Sequence, residues 1–428
     1  MQIELPYGDH TMSVRIPERN LIAVLNPSDC CAFHDTDAAL KHAAEECAAF
    51  VGDSQRILVL VNDYTRPTPN APVLAALRPV LSSRDFRALV CLGTHRAPTE
   101  PEFETIFGGK QGLSRAESDA SAPRDRPSLS DGTVPAFWPT YRNRIICHDS
   151  KDKARLFFLG KTSFGTDVWL NKELLWADKV ITINSIEPHY FAGYDTTAQN
   201  HNMVTRPGSQ TFGLQGNPVH EDMNEAAKMV PRPVFSIQLV QDRRHNLLAI
   251  HSGDLFRSFD AATEDAHQVF ALPVKERADI VMSVLRPPYD INFYQAQRAV
   301  EFARPVLKNP SVHITVSACN DGTGNDSFIK VFQGCKSAAD VLSPDASGSS
   351  LLPPPSTLGW HKSARLAQIM HTADLCTVMG IDDDVVKSVF MHPFKDAQDA
   401  LDAAFARLGR DARVYIIPDA GSVVPVLS

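Results

Sequence analysis

Three apolar runs in the first half of the chain are each followed at once by side chains that can bind anions or transfer protons. Asp63, Thr65 and Arg66 follow Ile57–Val61, Thr94 and His95 follow Phe86–Leu92, and Glu187 and His189 follow Val180–Ile183. Short apolar runs bounded by polar residues are typical of buried parallel strands. Because the carboxyl ends of parallel strands lie at one edge of a sheet, we expect these loops to meet in one cleft.

The two histidines in these loops, His95 and His189, indicate acid–base chemistry. An imidazole exchanges protons near neutral pH, so two of them on different loops could serve the two faces of one substrate. Arg66 stands between Thr65 and Pro67 in a rigid loop, where it could bind an anionic group of that substrate. The alternatives are a packed His189, a His95 that caps backbone groups, and a solvated Arg66.

Two further groups of residues contain metal-binding side chains. His201 could bind a metal through a neutral ring nitrogen, but the other ligands would have to come from elsewhere or from a cofactor. His220, Glu221 and Asp222 resemble a metal cluster. At the start of a helix, however, acidic residues more often complement the helix dipole, and we favour that interpretation.

Gln295 and Arg298 are three residues apart in a stretch with helical spacing, so their side chains face the same way. They could form a carboxylate-binding pair that a second domain delivers across an interdomain cleft. The alternative is a helix surface that carries an amide and a charge.

The composition of the chain excludes several classes of protein. The chain has 428 residues, of which 43% are hydrophobic and 21% charged, and its formal net charge of -8 disfavours a nucleic-acid-binding surface. The eight cysteines include no CxxC pair, and no stretch reaches the roughly 18 apolar residues of a membrane span. The signatures of dinucleotide-binding enzymes, serine hydrolases, zinc proteases and P-loop kinases are absent. We predict a cytoplasmic protein without nucleic-acid or membrane partners.

Apolar runs alternate with helical patterns along most of the chain. This alternation predicts an α/β fold of two domains with mainly parallel sheets and an active site in the cleft between them. We place the N-terminal domain at residues 1–270, the C-terminal domain at residues 271–410, and at residues 411–428 a final strand that could return to the first domain. Within the first domain we predict a hairpin at residues 1–25, a surface flap at Gly108–Ala136 and a further sheet strand at Thr166–Leu170. We also predict that Thr99 caps a helix and that Gly193 permits a turn just after His189.

Stretches in a consistent order along most of the chain resemble the nickel-pincer lactate racemase family of 2-hydroxyacid racemases and epimerases. They are NDYTRPTP (Asn62–Pro69), LGTHRAPTEPE (Leu92–Glu102), HD (His148–Asp149), GTDVWLNKELLWAD (Gly165–Asp178), IEPHYFAGY (Ile186–Tyr194), NH (Asn200–His201), GNPVHEDMNEAA (Gly216–Ala227), INFYQAQRA (Ile291–Ala299), GWHKSAR (Gly359–Arg365) and IIPDAG (Ile416–Gly421). Each stretch alone is weak evidence for the resemblance, whereas the whole set in this order is specific to the family.

The resemblance implies a nickel-pincer pyridinium nucleotide as the cofactor and a 2-hydroxy acid as the substrate. The hydroxyl proton would go to a histidine and the α-hydrogen to the cofactor as hydride, and the resulting keto acid would take the hydride back on its other face. Oxidation to a keto acid avoids a carbanion beside an ionised carboxylate, and the cofactor supplies that difficult step. Enzymes that mature the cofactor are the implied protein partners.

The resemblance also assigns roles to individual residues of this chain. It implies His95 and His189 as the acid–base pair and His201 as the metal ligand. It implies Arg66, Gln295 and Arg298 as substrate-binding residues. The implied cofactor-binding residues are Asp63, Thr65, Thr94, Tyr194 and Trp360.

Two departures from the family pattern bear on these roles. The family's type member tethers its cofactor through a lysine soon after the FAGY motif, whereas here no lysine occurs between Lys179 and Lys228, so we expect a non-covalent cofactor. Arg298 stands where the type member has lysine, and its planar fork would suit a different or larger carboxylate substrate. Two alternatives stay open: a cofactor-free hydroxy-acid isomerase or dehydratase of the same fold, and a non-enzymatic protein that binds a hydroxy acid or a nickel nucleotide.

Overall fold

The structure is a computed structural model that describes residues 1–27, 32–33, 35–93, 96–108, 137–194, 209–287, 289–342 and 359–428. Two six-stranded sheets dominate the described chain, and four smaller sheets of two or three strands accompany them. The predicted α/β fold class is confirmed. Within the described ranges no helix is long and apolar enough to cross a bilayer.

The strands follow one another along the whole chain. In order they are β1 (Gln2–Tyr7), β2 (His10–Arg15), β3 (Leu21–Val24), β4 (Arg56–Asn62), β5 (Asp85–Cys91), β6 (Ile145–Cys147), β7 (Leu156–Lys161), β8 (Asp167–Asn171), β9 (Lys179–Ser185), β10 (Pro188–His189), β11 (Ala192–Tyr194), β12 (Gln210–Thr211), β13 (Val234–Gln241), β14 (Leu247–Asp254), β15 (Ala271–Val274), β16 (Ala278–Val284), β17 (Leu307–Ser317), β18 (Ala373–Met379), β19 (His392–Phe394), β20 (Val414–Ile417) and β21 (Val424–Leu427).

Helices connect most of these strands. In order they are α1 (Thr36–Val51), α2 (Asn70–Ser82), α3 (Glu100–Phe107), α4 (Phe137–Tyr141), α5 (Glu173–Trp176), α6 (Pro218–Lys228), α7 (Leu255–Phe270), α8 (Phe293–Ala303), α9 (Ser327–Lys330), α10 (Trp360–Met370), α11 (Asp383–Ser388) and α12 (Ala397–Leu408). As the sequence predicts, Thr99 precedes α3, and its backbone N–H donates to the Glu102 carboxylate at 2.7 Å, which satisfies a free donor at the helix start.

The first large sheet has the strand order β14-β13-β9-β4-β5-β6, and all of its neighbours are parallel except β13 and β14. Both of its faces are covered. Ile57 and Val59 of β4 pack against α1 and α2, whereas Leu58 between them packs on the opposite face with Leu174 of α5. The apolar runs predicted as buried parallel strands are therefore confirmed, because side chains buried on both faces leave a continuous apolar sequence.

The second large sheet, of order β19-β18-β17-β16-β20-β3, is parallel throughout. Helices α8 and α10 cover one face, where Phe293 and Leu366 share a buried cluster with Val281. The opposite face packs against α12 and the β1–β2 hairpin. The carboxyl ends of its strands thus lead into the loops before α8 and the segments before α10.

The ends of the chain differ from the sequence prediction. The predicted N-terminal hairpin forms, but its Leu5 and Val14 pack on the second sheet, and β3 pairs with β20 there. Strand β20 lies inside the second sheet, and β21 pairs with β15 instead of returning to the first sheet. An alternating apolar pattern identifies a strand but not its partner, so the sequence did not place residues 1–25 beside the second sheet and left open which sheet the strand within residues 411–428 joins. The boundary at residue 270 stays a prediction.

The run predicted as a further sheet strand at Thr166–Leu170 forms β8, which among the described strands pairs only with β7, in a separate antiparallel hairpin. Trp169 is 47% exposed and packs on Phe158, with ring centroids 5.1 Å apart. A strand with one solvent-facing side cannot sit in the middle of a parallel sheet. The predicted flap at Gly108–Ala136 lies outside the described chain except for Gly108.

Candidate active site

The loops that leave the first sheet meet at its carboxyl edge. Asn62 at the end of β4 donates to the Thr68 hydroxyl at 2.9 Å. The Ser185 hydroxyl at the end of β9 is hydrogen-bonded to the Thr68 hydroxyl at 3.0 Å and donates to Gln241 Oε1 of β13 at 3.1 Å. This row of side-chain hydrogen bonds ties three strand ends together. The convergence of loops expected from a parallel sheet is present.

The loop after β4 is organised by the Asp63 carboxylate, which is buried. Its Oδ1 accepts the backbone N–H of Thr65 at 3.0 Å and the Thr65 hydroxyl at 2.7 Å, while the Arg66 N–H donates to the Asp63 carbonyl at 3.3 Å. A carboxylate that accepts a backbone N–H two residues later is an Asx-turn. Asp63 therefore fixes the direction in which the half-buried Arg66 leaves the backbone.

The loop that precedes α3 is attached to this turn. The Arg96 guanidinium forms a two-point ion pair with Glu102, at 2.7 and 2.8 Å, and lies 4.4 Å from the centre of the Tyr64 ring. Arg96 holds the pKa of Glu102 down at about 2, mainly through these hydrogen bonds. The neighbouring Thr94 and His95 lie outside the described residues, and so does His201.

His189 is buried at the end of the small strand β10. Its Nδ1 accepts the backbone N–H of Ala192 at 3.3 Å, and the ring stacks on Tyr190 with centroids 4.7 Å apart. Gly193 shapes the turn, as the sequence predicts. Its φ is +83°, and a Cβ there would lie 2.5 Å from the Gly213 carbonyl oxygen. These contacts orient the imidazole so that Nε2 lies on the side of the ring away from the Ala192 amide.

Helix α8 carries the predicted substrate-binding residues of the second half. Asn292 caps the helix by accepting the backbone N–H of Gln295 at 3.0 Å, and Gln295 itself is half-buried. Arg298 is only 6% exposed. Its guanidinium lies 3.9 Å from the centre of the Tyr289 ring and 5.6 Å from that of Phe302. Within the described chain its Nε has no hydrogen-bond partner and the group forms no ion pair.

Tyr289 joins the two halves of the molecule. Its hydroxyl donates to Glu187 Oε2 at 3.0 Å, two residues before His189, while its ring supports Arg298. Burial raises the pKa of Tyr289 to about 12, against the lowering effect of the Arg298 and Arg66 charges. Arg66, Glu187 and Arg298 were predicted from separate loops and a helix, and the structure gathers them around this one tyrosine.

Lys362 in the first turn of α10 is a buried cation that the sequence prediction did not include in the site. Its Nζ donates to the Tyr294 carbonyl at 2.6 Å, and lies 3.9 Å from the centre of the Tyr294 ring and 5.2 Å from that of Tyr190. Burial and, to a smaller extent, the nearby Arg298 charge lower the pKa of this amine to about 7. The only sequence signal for it was its place in the GWHKSAR stretch.

These contacts form a continuous path between the predicted acid–base residue and the predicted anion-binding residue. From His189 the path runs through the stacked Tyr190 to Lys362, then to Tyr294, which is one helical turn from Arg298. It returns through Tyr289 and Glu187. The described site is thus a ring of aromatic and charged side chains contributed by both halves.

A buried ion pair fixes the wall beside this ring. Arg365 binds both oxygens of Glu301, at 2.9 and 2.7 Å, and donates to the Ser209 carbonyl at 3.2 Å. The Ser209 hydroxyl in turn donates to the Phe191 carbonyl at 2.9 Å. Helices α8 and α10 are therefore attached to the His189 loop through fully hydrogen-bonded charges, the condition under which a buried ion pair is tolerated.

The other predicted cofactor-binding residues lie in different settings. Tyr194 belongs to a buried apolar cluster, where it packs on Phe212 with centroids 5.5 Å apart. Trp360 is buried in the first turn of α10, two residues before Lys362, and its Nε1 donor has no partner within the described chain. Tyr194 thus packs in an apolar cluster, whereas Trp360 is close to Lys362 in sequence, in the same turn of α10.

The carboxylates at the start of α6 have structural partners. Asp222 accepts the hydroxyls of Thr162 at 2.6 Å and Thr166 at 2.9 Å, and Glu221 accepts the Gly216 N–H at 3.1 Å. Among the residues the structure describes, no three His, Cys, Asp or Glu side chains are grouped as a metal ion would need. The interpretation of His220, Glu221 and Asp222 as the polar first turns of a helix agrees with these contacts.

Known proteins resemble the chain over nearly its whole length. The lactate racemase N-terminal domain family matches residues 7–119 and 140–200, and the lactate racemase C-terminal domain family matches residues 274–425. Two lactate racemases, from Thermoanaerobacterium thermosaccharolyticum and Lactiplantibacillus plantarum, are each 24% identical over 99% of this chain and cover 98% and 99% of their own lengths.

The fold is similar to solved structures as well. The lactate racemase apoprotein of T. thermosaccharolyticum superposes with a TM-score of 0.82 at 24% identity, covering 99% of this chain and all of the other. A Thermotoga maritima protein superposes with a TM-score of 0.59 at 15% identity, over 91% of this chain and 97% of its own. The two matched domain families together cover most of the sequence. The chain therefore belongs to the lactate racemase family, a family of racemases within the isomerases.

Proposed function

We propose that the protein interconverts the stereoisomers of a 2-hydroxy acid by reversible hydride transfer to a nickel-pincer pyridinium nucleotide. The observation that carries this proposal is the buried Arg298 guanidinium, which has no counter-ion in the described chain and lies beside Tyr289. A buried cation without a partner is unfavourable by several kcal/mol. A carboxylate that binds there would relieve this penalty, and the planar fork of arginine would orient it.

Arg66 would hold the same substrate from the other half of the molecule. The Asx-turn of Asp63 directs the Arg66 side chain. The positive charge of Arg66, like that of Arg298, lowers the pKa of Tyr289. Gln295, three residues before Arg298, would add an amide contact from the same helix. Two arginines from opposite halves would fix the carboxylate while leaving the substrate's α-carbon between them.

His189 and His95 would move the hydroxyl proton. The amide contact at Nδ1 orients the His189 ring, so that Nε2 can hold or release a proton at the substrate oxygen. His95 would do the same on the opposite face. A racemase requires an acid–base group on each face of its substrate. A simple binding protein does not, because binding alone needs no proton transfer.

The residues present fit the anionic nucleotide that the family uses. Trp360 offers a buried donor without a partner, and buried cations lie close by. His201 would be the protein ligand of the nickel, whose other ligands the cofactor would supply. When bound, the nucleotide would accept the α-hydrogen as hydride and return it. Asp63, Thr65, Thr94 and Tyr194 remain the other proposed cofactor-binding residues.

The cofactor would be held without a covalent bond, since no lysine lies between Lys179 and Lys228. It would reach the protein from cofactor-maturation enzymes. The six cysteines of the described chain are free thiols, which agrees with the cytoplasm as the proposed location. Denaturing intact-mass analysis, together with nickel and nucleotide analysis of protein co-expressed with those enzymes, tests the anchoring. Unmodified chain mass with released nickel and nucleotide is the expected result.

The activity test starts from one enantiomer of a series of 2-hydroxy acids and follows the other by chiral chromatography. His189→Ala and His95→Ala should each lower turnover by about 10²–10⁴-fold, the usual contribution of a general acid or base. The control is His42→Ala, at a histidine whose side chain is 69% exposed. This variant should keep full activity. Full activity in either site variant would refute the assignment. Turnover by protein without nickel or nucleotide would favour the cofactor-free isomerase or dehydratase.

A further inference from the structure

Lys362 is a second buried basic residue in the site, and it has no role in the reaction proposed above. It is 5% exposed and contacts two aromatic rings and one carbonyl. No carboxylate pairs with it anywhere in the described chain. Met or Leu would fill such a place at lower free energy, since a buried amine must either lose its proton or stay charged without solvent.

The charges that face Lys362 leave its positive charge uncompensated. Arg298 on α8 repels it, and among the described carboxylates only Glu301 attracts it. Glu301, however, is already bound at both oxygens by Arg365. The remaining neighbours, Tyr190 and Tyr294, are neutral phenols whose pKa values burial raises. The site therefore presents two buried basic side chains, the Arg298 guanidinium and the Lys362 amine, with no free counter-ion among the described residues.

One substrate carboxylate carries a single negative charge, which Arg66 and Arg298 would already share under the proposed function. We infer that Lys362 is the binding residue for a second oxyanion, distinct from the carboxylate on Arg298. This inference rests on the proposed function for the first carboxylate. An amine between two aromatic rings is a compact donor of up to three hydrogen bonds, and it suits a carboxylate or a phosphate equally.

Two sources can supply that oxyanion. The substrate can be a hydroxy acid with a second carboxylate, or the nucleotide can place its phosphate on Lys362. In both cases binding should protonate the amine, because an anion next to Lys362 favours its charged form. The free amine has a pKa of about 7, so at pH about 8 it is mostly neutral and complex formation should take up roughly half a proton or more.

Isothermal titration calorimetry of the cofactor-free chain, in two buffers of different ionisation enthalpy, measures both affinity and proton uptake. The probes are lactate with one carboxylate, malate with two, and nicotinic acid mononucleotide with one phosphate. The variants are Lys362→Met and Lys362→Arg. The control is Lys387→Met, at a surface lysine whose side chain is 59% exposed. Removal of a buried unpaired charge should not unfold the protein, and thermal unfolding checks this.

We expect wild type and Lys387→Met to bind at least one of malate and the mononucleotide with proton uptake, and lactate without it. Lys362→Met should weaken that binding about ten-fold and abolish the uptake, while Lys362→Arg should keep most of the affinity without the uptake. Dependence of malate binding on Lys362 identifies a second substrate carboxylate, and dependence of mononucleotide binding identifies the phosphate. If no probe shows uptake, or if Lys362→Met leaves every affinity unchanged, the inference is overturned. Because these titrations need no turnover, they succeed or fail independently of the histidine variants.

Discussion

The two halves of the molecule present their functional side chains in different ways. In the first half, Asp63, Arg66 and His189 lie on loops and a two-residue strand whose shapes depend on local hydrogen bonds. In the second half, Arg298 and Lys362 project from α8 and α10, helices whose residues are almost all buried against the second sheet. The histidines proposed to move protons thus sit on loops, whereas the groups proposed to bind anions, apart from Arg66, sit on packed helices.

This difference matches the demands of the two tasks. A buried cation without a counter-ion is tolerated only where packing prevents it from reaching solvent, and a helix inside a core provides that constraint. A histidine that exchanges protons must meet a substrate as the site closes around it, and loops can adjust more readily than packed helices. The helix half should therefore dominate substrate affinity, and the loop half should dominate turnover. Three substitutions test this division.

The largest effect should come from Arg298→Met in the helix half. Loss of the guanidinium removes the carboxylate-binding charge, so KM for a 2-hydroxy acid should rise about 100-fold or more, as when one partner of a buried charge pair is removed. Thermal unfolding should show an unchanged or higher Tm, because no ion pair of the described chain is broken. The matched control is Arg277→Met, at an exposed arginine of the same half. An unchanged KM would exclude Arg298 from the substrate site.

A smaller effect should follow Asp63→Ala in the loop half. The variant loses the acceptor of two Thr65 hydrogen bonds, so the turn that directs Arg66 should loosen and kcat/KM should fall about 10- to 100-fold. Asp149→Ala removes a similar turn acceptor, for the backbone N–H of Lys151 at 2.8 Å, at an exposed position and should leave kcat/KM unchanged. Equal effects of the two variants would show that the Asp63 turn has no special role.

The smallest effect should come from Tyr289→Phe, at the contact between the two halves. The ring that supports Arg298 remains, and only the hydrogen bond to Glu187 is lost. One such bond to a carboxylate contributes about 1–2 kcal/mol. Because Glu187 lies in the His189 loop, kcat should fall about three- to ten-fold with KM nearly constant. A rise in KM alone would assign Tyr289 to substrate binding by the helix half and would contradict the expected effect on turnover.

Local sequence patterns predicted the parallel strands and the polar loops after them, because a strand buried on both faces leaves an apolar run and its loop needs polar side chains. They also predicted the turn at Gly193 and the helix start at Thr99. The pairing of β3 with β20 was missed, since contacts between distant parts of the chain leave no local signature. Lys362 was missed for a related reason: lysine is usually a surface residue, and only the packing of α10 against α8 shows that this one is buried. The roles of the site residues remain predictions.

The pairing of β3 with β20 affects how the protein can be made. Val24 and Ile416 are partners in the second sheet, yet the ribosome adds them about 390 residues apart. At roughly 5–20 residues per second, the first strands wait on the order of tens of seconds for their neighbours. Over that interval the β1–β2 hairpin, with Leu5 and Val14 on one face, lacks the sheet that buries them in the finished molecule. A chaperone that shields apolar hairpins near the ribosome exit would therefore act on this protein early, long before the residues of its site are complete.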